Sequence, residues 1–161
     1  MAFQVIDIDK LIAFLVDWTE KYVKNKDLVN RVLREMTHSD GEVSAKFEHK
    51  EQKYIIIPEL DDVNAVLKRL SQVKDSHLTL VTLNSQSNLN IMIKHWHQFV
   101  DLGQKFSIFF VNPFSKTDKI WIIYPYIHQR IADESSLALG LKAMFDVVEP
   151  ITANEAARII A

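Results

Sequence analysis

No apolar run in this chain outlasts a single β-strand, and the stretches between the runs carry the period of amphipathic helices. Val43, Ala45 and Phe47 alternate with Ser44, Lys46 and Glu48, the pattern of a half-buried strand. After a polar turn, Tyr54 to Ile57 form a second strand, stopped by Pro58. Leu78 to Leu83 and Lys105 to Val111 are two more, and Ile120 to Tyr124, ended by Pro125, is the last. Between them, Val63, Val66, Leu67, Leu70 and Val73 make a helical stripe entered from Asp61 or Asp62. Leu89, Met92, Ile93, Trp96, Phe99 and Val100 make another, with Ser87 placed to cap it and Gly103 to stop it. A helix from Asp133 buries Leu137, Leu141, Met144 or Phe145, and Val148, and Thr152 with Glu155 forms the capping box of a short terminal helix.

The order ββαβαββ predicts an α/β fold, with α+β as the neighbouring class: a single domain built on a five-stranded mixed sheet with packed helices. Its parts are an N-terminal helical segment 9–37, a sheet and helix core 42–149, and a C-terminal helix 152–161. Ile55 to Ile57, Leu80, Val81, Ile108, Phe110, Ile122 and Ile123 are the expected interior. Lys53 to Pro58 and Lys119 to Pro125 resemble each other as hairpin second strands that end at proline, which leaves open whether a ββα unit occurs twice.

In the N-terminal segment, Leu11, Leu15, Trp18, Tyr22, Asn25, Val29, Val32 and Met36 fall at alternating steps of four and three, a heptad stripe. Asp27 is also a good helix cap, so the segment reads as one helix or two. The stripe serves either to cover the sheet or, with Asn25 setting the register, as a homodimer seam formed by Leu11, Leu15, Trp18, Tyr22 and Asn25.

Composition narrows the function classes. The 161 residues include no Cys, which removes disulfides, thiolate metal sites and cysteine nucleophiles and suits a reducing compartment, so a cytoplasmic location is expected. The formal charge is −2, so no general basic field exists to capture a phosphate backbone, and nucleic-acid partners are not expected. No run reaches the roughly 18 uncharged apolar residues of a membrane span. Residues 1–23 carry Asp7, Asp9, Asp17 and Glu20 with no basic leader, unlike a signal peptide.

The chemistry-bearing residues are sparse. Asp40 followed by Glu48-His49-Lys50 has the order of a metal-dependent nuclease, but the residues fall in two different turns. Gly41, Gly103 and Gly140 cannot build a phosphate-cradling loop. His95 and His97 sit two apart on a helix, about 200° around its axis, and cannot share a metal ion; no metal or cofactor is expected. The aromatic strand Phe106 to Phe110 lacks the glycine that lets bases approach an RNA-binding sheet. The richest cluster is Tyr124, Tyr126, His128 and Arg130, leaving a strand end, where α/β proteins collect ligands; an imidazole and a guanidinium there suit an anion. The expected function is therefore a non-enzymatic, homodimeric protein-interaction domain. A small enzyme or anion-binding protein centred on His128 and Arg130 is the alternative.

Overall fold

A computed structural model describes residues 7–161. It contains a mixed sheet flanked by helices on both faces, but the sheet has six strands where the sequence reading expected five, in spatial order β1 to β6. Helix α1 spans Ile8–Asp27, capped by Asp7, whose carboxylate accepts from the Lys10 amide at 3.0 Å. It stops at Asp27, and the expected continuation to residue 37 does not occur. The Asp27 carboxylate accepts from the amides of Val32 at 2.9 Å and Leu33 at 3.1 Å, and Arg31 takes a positive φ of 51°. Asp27 therefore caps a turn, and the chain enters strand β1, Leu33–Ser39.

The pairing of β1 with β2 (Glu42–Phe47) explains why β1 reads as helix. The register shifts between Leu33 and Glu35, a bulge that puts Leu33 and Met36 on one face although they are three residues apart. A three-residue spacing mimics a helical stripe where a bulge hides in a strand.

Strand β3, Glu51–Ile56, pairs antiparallel with β2. The chain then crosses through α2, Val63–Ser71, to β4, His77–Leu83, which lies parallel to β3. A second crossover holds α3, Gln86–Lys94, and α4, Trp96–Val100, and leads to β5, Phe106–Val111, parallel to β4. Ser85, not Ser87, caps α3, accepting from the Asn88 amide at 3.1 Å, and the single expected helix is broken at His95. Strand β6, Ile120–Ile123, returns antiparallel to β5. Pro125 does end this strand, but as the first residue of α5, Pro125–Ile131, where its missing amide costs nothing. A 3-10 turn, Glu134–Ser136, precedes α6, Leu137–Phe145, and α7 is Ala153–Ile160 behind Thr152.

Strand alternation divides the interior into two layers. Ile55, Leu80, Ile108 and Phe110 face α2, α3, α4 and α6, meeting Leu70, Leu89, Met92, Phe99 and Leu141. Tyr54, Ile56, Val81, Leu83, Phe109 and Val111 face α1 and α7, meeting Leu11, Leu15, Val23 and Ala156. With helices on both sides, β5 is buried at every position, which is why every residue in it but Ser107 is apolar. Among the described residues, no helix is long and apolar enough to cross a membrane.

Candidate functional site

Ligands of open α/β sheets gather beyond the carboxyl ends of the parallel strands. Here the chain closes two of those ends itself. Asn84, directly after β4 and fully buried, donates through Nδ2 to the carbonyls of Phe145 (3.2 Å) and Val148 (2.9 Å), while its Oδ1 accepts from Trp121 Nε1 at 2.8 Å. Its backbone oxygen accepts from the Ile151 amide at 2.9 Å. Asn112, directly after β5, donates to the Glu149 carbonyl at 2.9 Å and accepts from the Phe114 amide at 3.0 Å. Residues 145–151 are thereby strapped across both ends. Asn88 ties α3 to the same region, donating to the carbonyls of Pro58 and Leu83 at 2.9 Å each and accepting from the Leu60 amide at 3.0 Å.

What stays open lies beyond β3. A cleft of about 780 Å³ runs between α1 and the β1–β2 turn, lined by Ile12, Val16 and Ile56 on its floor and by Asp9, Asp17, Glu20, His38 and Asp40 around them. A second cleft of about 340 Å³ shares Ile12, Ile56 and Arg69 with it and continues to the start of α2, past Pro58, Glu59, Asp61 and Asp62. The β1–β2 turn can approach this closely because Gly41 takes φ +67°; a Cβ there would stand 3.4 Å from Arg69 Nη2 and 3.6 Å from the Ile56 oxygen. Arg69 donates to the Gly41 carbonyl at 3.3 Å, and Glu20 Oε1 meets His38 Nδ1 at 2.6 Å across the mouth. Burial, and then the negative charge of Asp61, push the Glu59 carboxyl above its ordinary range. Among the described residues, seven carboxylates line the joined clefts against one guanidinium and one imidazole. They are strung along the walls: among the described residues no three His, Asp or Glu side chains come together to hold a metal ion.

The residues singled out from sequence fall as follows. Tyr124 stands at the exposed start of α5, and Arg130 Nη1 donates to the Tyr126 hydroxyl at 2.7 Å, one turn away, with its guanidinium over that ring. The His128 ring packs edge-on against Trp96 at 5.8 Å, beside Gln129, which accepts from Trp96 Nε1 at 2.6 Å. His128 and Arg130 are two residues apart on a helix, about 200° around it, so the pair does not converge on one anion. Neither cleft includes any of the four.

Of the seam residues, Leu11 and Leu15 are fully buried against the sheet and have no surface left for a second subunit. Trp18 and Tyr22 stack on each other at 5.5 Å, and Tyr22 meets the edge of Phe109 at 5.8 Å. Asn25 is exposed in the last turn of α1, and Val29 lies in the turn beyond it. The stripe covers the sheet. Asp40 and Glu48-His49-Lys50 sit at opposite ends of β2, so the nuclease-like order brings nothing together.

Sequence reasoning passed over the sealing asparagines, although one directly follows each of the strands expected over 78–83 and 105–111, Leu83-Asn84 and Val111-Asn112. It also missed the cleft, whose walls come from α1, a turn and α2. Fold and cleft together define a three-layer α/β domain whose open concave surface is acidic with an aliphatic floor. Comparisons with protein-family models, curated proteins and solved structures returned no match.

Proposed function

We propose that this is a non-enzymatic protein-interaction domain that seats a basic, partly aliphatic segment of a partner protein in the cleft between α1, the β1–β2 turn and α2. The observation that carries the reading is the combination of an isoleucine floor with carboxylates on both walls. Such a surface offers apolar burial at the centre and favourable charge at the rim, the usual anatomy of a protein contact. It also repels acidic segments, since among the described residues lining it Arg69 and His38 alone offset the carboxylates.

Fluorescence anisotropy with a labelled peptide alternating Lys or Arg with Leu tests it. The expected result is binding that weakens with salt and falls about tenfold in the Asp9→Asn, Asp61→Asn double variant, from two rim charges each worth up to about 1 kcal/mol. Equal binding of a peptide with Glu in place of the basic residues overturns the reading.

Self-association is the second reading, and one observation favours it. Tyr124, Ile127 and Ile131 fall at steps of three and four along α5 and are 47%, 45% and 80% exposed. An apolar stripe on an outer helix is the surface a second copy of the chain would cover.

A further inference from the structure

At the opposite end of the parallel strands, the amino end, positive charge gathers on the face covered by α1. Lys50 closes the β2–β3 turn, its carbonyl accepting from the Phe47 amide at 2.8 Å, two residues before Gln52. Gln52 is the register partner of His77, the first residue of β4. Lys105 lies one residue before β5, and its carbonyl accepts from the Leu78 amide at 3.0 Å. Two lysines and an imidazole therefore rise from neighbouring positions at the amino ends of β3, β4 and β5. Among the described residues, Lys50 and Lys105 take part in no ion pair, and Lys50 stands over the Phe47 ring, 5.5 Å away.

Behind them the sheet face is polar and closed. Gln52 Nε2 donates to Thr79 Oγ1 at 2.8 Å, and Thr79 Oγ1 is 2.8 Å from Ser107 Oγ. His77 shares this face with Thr79 by strand alternation. From α1, Lys26 stands over the Tyr22 ring at 5.5 Å, and Tyr22 in turn abuts Phe109 of β5.

We infer that the amino ends of β3, β4 and β5 form an oxyanion site, in which Lys50, His77 and Lys105 together hold a doubly charged group of the phosphate or sulfate class. Unpaired like charges side by side repel, and a bound dianion converts that repulsion into attraction. The repulsion registers on the imidazole: burial first, then Lys50 and Lys105, hold the His77 pKa below its ordinary value. The carboxylates nearest along the chain are Glu48 and Glu51 beside Lys50, Asp75 beside His77 and Asp101 before Lys105; Glu48 pairs with Arg34 and His49, and among the described residues none of the four forms an ion pair with Lys50, His77 or Lys105. The site is independent of the acidic cleft, and either can fail alone.

The sign of the test follows. A dianion favours the protonated ring, so the His77 titration midpoint rises on binding, and affinity weakens as pH climbs past it. The His77 ring resonances are titrated by NMR in sulfate, whose charge is constant through the range, and in sodium chloride at equal ionic strength, with exposed His97 of α4 as the internal reference. The expected result is a saturable rise in sulfate at least about twice that in chloride, since chloride only screens. In the Lys50→Gln, Lys105→Gln variant the midpoint without sulfate rises and the sulfate-specific part is lost. A phosphoserine peptide binding more tightly than inorganic phosphate identifies a phosphorylated protein as the source; equal binding identifies the free ion, and both support the site. Equal rises in sulfate and chloride, or a saturable rise that survives in the double variant, overturn it.

Discussion

Asn84 shows how much one amide side chain can decide. Its two donors and one acceptor hold the Phe145 and Val148 carbonyls and the Trp121 indole in a place that water does not reach. Each buried group left unpaired costs about 1–3 kcal/mol, so Asn84→Ala should lose about 3 kcal/mol or more by urea unfolding. Hydrogen exchange should also speed up at the Ile151 amide, which bonds to the Asn84 carbonyl. Stability unchanged within about 0.5 kcal/mol would mean that the strap over β4 and β5 is held by apolar packing instead. Asparagine suits the position because it offers donor and acceptor at once without charge; an aspartate would set a carboxylate against two carbonyl oxygens. The residue type was visible in the sequence, but its partners, 61 and 64 residues away, were not.

Among the elements, α1 carries the clearest lesson. Its heptad stripe was legible, and so was the competition between sheet packing and a dimer seam. Leu15→Ala should cost about 2–5 kcal/mol, the range for deleting a fully buried leucine side chain, and leave the oligomeric state unchanged. Asn25→Leu should leave it unchanged as well, because Asn25 is exposed on the last turn and faces no seam. An increase in dimer with Asn25→Leu, read by sedimentation, would restore the coiled-coil reading. The stripe misled at Asn25, which is exposed, and past Asp27, where the β1 bulge places Leu33 and Met36 on one face at helical spacing. Helix α5 was missed for the opposite reason. At seven residues it is too short to display a period, and Pro125 looks the same whether it ends a strand or opens a helix.

On the scale of the whole molecule, the surface separates into regions of different character: an acidic cleft beyond β3, cations at the amino ends of β3 to β5, and an apolar stripe on α5. If the stripe mediates self-association, sedimentation should show a dimer at micromolar concentration that Ile127→Glu with Ile131→Glu disperses without loss of folding. Both side chains are exposed, so the substitutions leave the core intact. A monomer up to millimolar concentration would remove the homodimer. The sequence by itself determined the kinds of element and most of their order, because the period of apolar residues records which side of a helix or strand is dry. It determined as well that these 161 residues offer no cysteine chemistry, and among the described residues no helix is long and apolar enough to span a bilayer. Only the tertiary structure decided the sixth strand, which carboxyl ends are sealed and which is left open, and which cations stand side by side. Each of these depends on strand register and on which residues distant in the chain meet, and a period, being local, carries no information about either.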